Sequence, residues 1–158
     1  EALHWNCGQL AVALRLLADS APLIAALERF GPLYMEAVAR RWCWRLGVVP
    51  QGLEADTHLV AACEAQLRDG GAQPDAFFFT NRKVAGRVQT PSDGAVAARL
   101  AAYEPAGAPH EYWSDPAPQS LLIGEVEAIW AAIAERDDWS PLFAKVDAVR
   151  AMGEALRG

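Results

Sequence analysis

The sequence predicts an all-α fold, an irregular bundle of about six to eight helices. Apolar residues recur every three or four positions in several separate stretches, which places them on one face of an α-helix. No stretch alternates apolar and polar residues in the way a half-buried β-strand does. The 158 residues suit one ordinary domain. We divide it into a helical core (1–70), an irregular connector with short helices (71–119) and a C-terminal helical hairpin (120–158).

Composition and charge exclude several classes of protein. Hydrophobic residues make up 53% of the chain and charged residues 22%, which is typical of a globular protein. The net charge is -6 and no long basic block is present, so we expect neither nucleic acid nor an anionic membrane as a partner. The sequence contains no apolar run of the ~18 residues that a membrane-spanning helix needs. Three cysteines without a pairing pattern predict free thiols and a cytoplasmic location.

The first helix is predicted over residues 3–18 and has the most regular apolar stripe in the chain. We expect the rest of the fold to be organised around it. Ser20 and Pro22 suit the start of a second helix, because Ser caps helix N-termini and Pro fits a first turn. A third helix is predicted over residues 32–46, with Gly47 in the left-handed conformation of a helix C-terminus. The stripe of the first helix consists of Leu3, Cys7, Leu10, Leu14 and Leu17.

The middle of the chain is predicted as a loop over residues 48–56 and a fourth helix over residues 57–69. The aromatic run at residues 77–79 is predicted to be helical and to plug the bundle. The alternative, a platform on which bases stack, is disfavoured because such platforms accompany basic grooves. A loop over residues 88–93 precedes a weak helical stripe over residues 94–103. The fourth helix is expected to face inward at Leu59, Val60, Cys63 and Leu67.

The connector over residues 105–119 contains four prolines and is predicted to be mostly irregular. Tyr112 and Trp113 should pin it to the body of the protein, because large aromatic side chains are usually buried. It would then wrap the surface of the bundle instead of separating two domains.

The last 40 or so residues are predicted to form an antiparallel pair of helices, because their connection is short. Ser140 followed by Pro141 is a strong start signal, with Ser as the cap and Pro in the first helical position. Trp130 and Trp139 should lock the pair together. Across the whole chain we expect nine residues to be largely buried, namely Leu10, Leu14, Val38, Trp42, Cys63, Val126, Ile129, Val146 and Val149.

Two groups of residues have the chemistry of metal ligands. His4 and Cys7 share one helical face, but a zinc site needs further ligands and none is near in sequence. The acidic residues that cluster around Arg136, at a predicted helix C-terminus, lack the alternating pattern of a calcium loop. We therefore interpret His4 and Cys7 as core side chains, and the acidic group as solvated loop charges. The acidic group is Glu135, Asp137 and Asp138.

Arginines at the end of the third helix form the main basic cluster. Arg40, Arg41 and Arg45 lie where positive charge compensates the helix dipole, so we favour a solvated helix end over a phosphate site. The pair Arg82 and Lys83 is the other candidate for binding phosphate groups. The chain contains no glycine-rich phosphate loop, no nucleophile elbow and no complete catalytic set.

Six short segments, spread over most of the chain, resemble the selenoprotein O family. The first contains the W-N pair of a helix that follows the kinase-like domain of that family, although Cys7 and Gln9 stand where the family has Leu and Arg. The segments are 3–14 (LHWN and QLAVAL), 45–48 (RLGV), 56–60 (DTHLV), 75–79 (DAFFF), 125–130 (EVEAIW) and 137–140 (DDWS).

The resemblance implies that this chain is the C-terminal helical part of a kinase-like fold. Members of the family are similar to pseudokinases that bind ATP in an inverted orientation and, with magnesium, transfer AMP to Ser, Thr or Tyr hydroxyls of proteins. Their nucleotide- and metal-binding residues precede the segment that corresponds to Trp5 and Asn6. No residue of this chain is therefore expected to be catalytic or to bind a cofactor or metal.

The expected role is the C-terminal helical region of a protein adenylyltransferase, without catalytic activity of its own. The chain begins at Glu1 and not at a methionine, which suggests a fragment. Its expected partners are the upstream kinase-like lobe, which would bind ATP and magnesium, and protein substrates that dock nearby. The alternative is a non-enzymatic helical module that binds other proteins.

Overall fold

The protein is built from α-helices joined by loops, and the described residues contain no β-strand. The computed structural model describes residues 2–85 and 94–157, so the loop predicted over residues 88–93 lies outside the described part. The prediction of an all-α fold is confirmed. In chain order the helices are α1 (Ala2–Leu14), α2 (Ser20–Glu28), α3 (Phe30–Leu46), α4 (Leu53–Gly70), α5 (Pro74–Asn81), α6 (Ala95–Leu100), a 3-10 helix (Glu111–Ser114), α7 (Ile123–Arg136) and α8 (Ser140–Arg157).

At two of the helix boundaries that differ from the prediction, the cause is local. α1 ends at Leu14, because the next turn tightens and the Leu17 amide donates to the Leu14 carbonyl. α4 begins at Leu53, four residues earlier than predicted, because the Asp56 carboxylate accepts hydrogen bonds from the amides that precede the helix. At the end of α3 the structure agrees with the sequence, since Gly47 closes the helix with a φ of 63°.

The first hydrophobic core lies between α3, α4, α5 and α6. The inward face predicted for α4 is confirmed, with Leu59, Val60 and Cys63 buried and Leu67 packed against the core. Each of these helices contributes side chains from one face, as helical spacing requires. The buried members are Cys43, Leu46, Val48, Leu59, Cys63, Phe77, Val96, Leu100 and Tyr103.

A second, smaller core fixes the connector to the rest of the protein. Tyr112 and Trp113 are both 4% exposed, which confirms that they pin this segment. Phe79 packs against both rings, at centroid distances of 5.5 and 5.8 Å. The aromatic run of α5 therefore reaches both cores, because Phe77 belongs to the first and Phe79 to the second. The helix predicted for this run is confirmed.

The N-terminal helices lie at the periphery, so the prediction that the chain is organised around its first helix is wrong. α1 packs against α2, and α2 against α3. None of the described residues of α1 or α2 is buried. The start of α2 also differs, because Asp19 occupies the N-cap position and Ser20 is already helical. The stripe of α1 is helical as predicted, but it is only partly covered, since Cys7 and Leu14 are partly buried while Leu3, Leu10 and Leu17 are exposed.

Burial at the nine positions predicted for the core is mixed. Cys63 is fully buried, whereas Leu10 is 59% exposed and Val126 is 42% exposed. These two predictions are wrong, because periodicity marks a helix face but not the element that covers it. The other six are partly buried, namely Leu14, Val38, Trp42, Ile129, Val146 and Val149.

The last two helices pack against each other, as the short connection predicted. Trp130 and Trp139 do not lock this pair, since they are 66% and 45% exposed. Ser140 does not cap α8 either, because it is the first helical residue. Its amide and hydroxyl donate to the Asp138 carboxylate at 3.0 and 2.6 Å, so Asp138 takes the role predicted for Ser140.

Candidate functional site

Arg82 and Lys83 follow α5, and their side chains are hydrogen-bonded to the C-terminal ends of two other helices. The Arg82 Nη1 atom donates to the carbonyl of Trp44 at 2.7 Å and to that of Arg45 at 3.2 Å, both in the last turn of α3. The Lys83 ammonium donates to the carbonyl of Leu100 at 3.0 Å, at the end of α6, and to that of Tyr103. The last carbonyls of a helix lack partners within the helix and carry partial negative charge. The two cations therefore cap α3 and α6.

The surroundings of Arg82 hold its guanidinium in one place. The side chain is 3% exposed and its guanidinium lies over the Trp113 ring, 4.7 Å from the centroid. A Cβ atom added to Gly47 would collide with the Lys83 carbonyl, and one added to Gly107 would lie 2.8 Å from it. Burial, and then the charge of Arg45, lower the pKa of Arg82. Arg82 thus joins the end of α3 to the second core.

Asp56 is a buried carboxylate whose hydrogen-bond partners all belong to the fold of the protein. It is 4% exposed and accepts hydrogen bonds from the amides of Gln51 and Gly52 and from the Tyr103 hydroxyl, at 3.0, 3.3 and 3.0 Å. Burial raises the pKa of Tyr103, and the hydrogen bond to Asp56 adds to this shift, so the phenol keeps its proton. The cluster ties the loop before α4 to the segment that follows α6.

The three cysteines are free thiols. Cys43 and Cys63 are fully buried, on α3 and α4. Burial raises the pKa of each thiol from 9.0 to about 12, and for Cys43 the nearby Asp56 carboxylate contributes as well. Because the thiolate is the nucleophile and the metal ligand, neither residue is suited to these roles in the folded protein. Cys7 on α1 is partly buried.

The groups considered as metal ligands have other contacts in the structure. The His4 ring stacks on Phe30, with 5.3 Å between the centroids, but His4 is exposed, so its interpretation as a core side chain is wrong. Within residues 2–85 and 94–157, no three His, Cys, Asp or Glu side chains converge as a metal site would require. The acidic residues at the end of α7 and in the turn after it have local partners. Glu135 accepts a hydrogen bond from Arg136, Asp137 from the Trp139 indole and Asp138 from Ser140. The two hydrogen bonds from Ser140 lower the pKa of Asp138.

The arginines at the end of α3 do not form one site. Arg45 pairs with Asp75 at 3.1 Å and lies over the Phe78 ring, 4.2 Å from its centroid. Arg41 lies over the Trp44 ring at 3.9 Å. Arg40 points elsewhere and lines a separate cleft with Arg82 and Arg157. Arg40 and Arg41 are exposed, as a solvated helix end predicts, whereas Arg45 is partly buried and contacts both a carboxylate and an aromatic ring.

Large apolar side chains are exposed on α1, on the turn after it and on α2. Trp5 is 65% exposed and Leu16 is 90% exposed. Leu3 and Leu10 share one face of α1 and Trp5 and Val12 share another, because the members of each pair are seven residues apart, so the group covers more than one side of this helix. We call this group the N-terminal apolar surface; it comprises Leu3, Trp5, Leu10, Val12, Leu16, Leu17 and Ile24.

A second apolar group lies on the last two helices and on the segment before them. It includes Trp130 of α7 and Phe143 of α8, which is 61% exposed. Ile123, Val126 and Trp130 are spaced by three and four residues, so they share one face of α7. We call this group the hairpin apolar surface; it comprises Leu121, Leu122, Ile123, Val126, Trp130, Trp139 and Phe143.

Sequence reasoning missed Asp56 and the capping role of Arg82. The partners of both side chains are distant in sequence, apart from the two amides that precede α4, and no local pattern indicates them.

Among the described helices, none is long and apolar enough to cross a membrane. No family model, curated protein or solved structure matches the chain.

Proposed function

We propose that this chain is the C-terminal helical region of a selenoprotein O-like protein adenylyltransferase, and that an upstream kinase-like lobe packs on its N-terminal apolar surface. The observation that carries the proposal is the position of Trp5 and Asn6. The segment that most resembles the family forms α1, whose apolar face, like that of α2, contains no buried side chain. A helix that connects to a preceding lobe would have such a face, because burying it requires apolar atoms from outside these helices.

Two other segments of the resemblance occupy structural positions that would suit such a region. Leu46 and Val48 are buried on either side of Gly47, where α3 ends. Asp56, the first residue of the DTHLV segment, holds the start of α4 through three hydrogen bonds. These roles give a physical reason for the residue types at both places, and they support a shared fold.

In this proposal the chemistry belongs to the upstream lobe, which would bind ATP and magnesium in the cytosol. A protein hydroxyl would attack the α-phosphorus of ATP, AMP would be transferred and pyrophosphate would leave. This chain would stabilise the lobe and shape the surface on which a protein substrate docks. Its own cations have structural contacts, since Arg82 and Lys83 cap helices and Arg45 pairs with Asp75.

The alternative is a helical module that binds another protein without taking part in catalysis. The hairpin apolar surface favours it, because three of its members, Trp130, Trp139 and Phe143, are aromatic residues of the kind enriched in interface cores. The two proposals differ in what happens when the chain is removed from the longer protein.

The test uses isotopically labelled ATP, magnesium and a protein substrate, with the full-length parent, a parent that lacks this chain and the isolated chain. We expect transfer by the full-length parent only. The truncated parent should lose transfer and melt at a lower temperature, because its apolar face is uncovered. Transfer by the isolated chain, or full activity with unchanged melting in the truncated parent, would contradict the proposal. The second of these results would favour the binding module.

A further inference from the structure

A cleft lined by three arginines lies between α3, the segment after α5 and the end of α8. We call it the arginine cleft. Arg40 comes from α3, Arg82 follows α5 and Arg157 is the last residue of α8. Trp44, Val48 and Pro50 form an apolar wall, and the volume is about 300 Å³. This size is at the lower end of the range of ligand pockets, which run from roughly 300 to 1,000 Å³.

The charge of the cleft is opposite to that of the protein. The chain carries 14 basic and 20 acidic residues, yet none of the described residues that line the cleft is Asp or Glu. In the described part of the chain, neither Arg40 nor Arg157 forms an ion pair. A fourth arginine, Arg41, contacts the wall of the cleft, because its guanidinium lies over the Trp44 ring. The positive potential of this cleft is therefore not offset by a neighbouring carboxylate of the lining.

One arginine of the cleft is held firmly. The Arg82 side chain is buried, is hydrogen-bonded to two carbonyls of α3 and lies between Gly47 and Gly107. It gives the cleft a fixed positive charge, whereas Arg40 and Arg157 are exposed and can turn toward a ligand. Such a pair can bind an anion with two parallel N–H···O bonds each, which is the geometry that suits phosphate.

We propose that the arginine cleft binds a small phosphomonoester. Its phosphate would lie between Arg40 and Arg157, near the charge of Arg82, and its organic group would contact the apolar wall. A dianion matches several arginines better than a single carboxylate, and the volume favours a small molecule over a longer chain. The inference goes beyond the proposed function and does not rest on it.

Binding is tested with phenyl phosphate as the probe and the indole N–H signals of the tryptophans as the NMR readout. We expect a saturable shift of the Trp44 signal with a dissociation constant of about 1 mM, within the range of weak specific binding. Added salt should weaken binding, because the contact is between charges and partly exposed. Inorganic phosphate should compete, and neutral benzyl alcohol should not shift the signal.

Variants locate the site. Arg40→Gln and Arg157→Gln should each weaken binding about tenfold, as expected for loss of one charged hydrogen-bonding partner. Arg150→Gln is the matched control, because Arg150 is also an exposed arginine of α8 but pairs with Asp147 outside the cleft. Circular dichroism checks that each variant is folded.

Three outcomes would overturn the inference. The first is no saturable shift up to about 10 mM phenyl phosphate, which is well above the expected dissociation constant. The second is equal weakening by Arg150→Gln, which would mean general attraction to surface charge. The third is tighter binding of a phosphotyrosine peptide than of phenyl phosphate, with the same dependence on Arg40 and Arg157, which would assign the cleft to phosphorylated proteins.

Discussion

The buried thiols of Cys43 and Cys63 and the buried phenol of Tyr103 are stabilised in their protonated, neutral forms. Cys43 and Cys63 have pKa values raised from 9.0 to about 12 by burial, and Tyr103 is shifted in the same direction. The folded state therefore retains these protons at a pH where the unfolded chain loses them. Stability from this source is unaffected below pH 9.0 and falls as the pH rises above it, because the unfolded state then binds fewer protons.

Thiol labelling tests this description of the cysteines. At pH 8 a maleimide or disulfide reagent should react rapidly with one thiol, Cys7, and with Cys43 and Cys63 only as the protein unfolds. The Cys7→Ser variant is the control and should remove the fast phase without changing the slow one. Two or three rapidly reacting thiols in the native wild-type chain would contradict the burial of α3 and α4 thiols described above.

At the scale of the elements, the first and second cores are joined by side chains that cap the C-terminal ends of helices. α3 ends on Gly47 and on the guanidinium of Arg82, and α6 ends on the ammonium of Lys83. Both cations come from the two residues that follow α5. One short segment therefore satisfies the last carbonyls of two helices, which would otherwise be left without partners.

Replacing Arg82 with methionine should destabilise the protein by about 2–3 kcal/mol, because hydrogen bonds to charged groups contribute ~1.5–3 kcal/mol and their loss leaves the end of α3 unsatisfied. The measurement is chemical denaturation followed by circular dichroism. Arg68→Gln is the matched control, since Arg68 is an exposed arginine in the last turn of α4. If the two variants were equally stable, the capping role of Arg82 would be refuted.

Local sequence patterns predicted which face of a helix is buried, but they did not predict the hydrogen bonds that join one helix or loop to another. The inward face of α4 was predictable because Leu59 and Val60 lie four and three residues before Cys63, which places all three on one side of the helix. The hydrogen bonds of Arg82 reach back 37 and 38 positions, and that from Tyr103 to Asp56 spans 47, so no sequence window contains both partners. Leu10 is exposed although its regular spacing predicts burial, because the spacing marks one face of a helix and not the element that covers it.

At the scale of the whole molecule, the burial is uneven along the chain. The region from α3 to the 3-10 helix contains most of the buried residues, whereas α1, α2 and much of α7 present large apolar side chains to solvent. The all-helical fold follows from periodicity, but which faces are covered depends on tertiary contacts that periodicity does not encode. The proposed function assigns the N-terminal apolar surface to a contact with an upstream lobe.

The most direct measurement of this contact compares the melting temperature of Leu10→Ser in two settings. In the isolated chain the variant should change stability by less than about 0.5 kcal/mol, because Leu10 is exposed there. In the full-length parent it should cost about 2 kcal/mol, because the same side chain would be buried against the upstream lobe. Leu53→Ser, at an exposed leucine outside both apolar surfaces, should have little effect in either setting. Equal, small effects of Leu10→Ser in both settings would contradict the proposal that a lobe of the same protein covers α1.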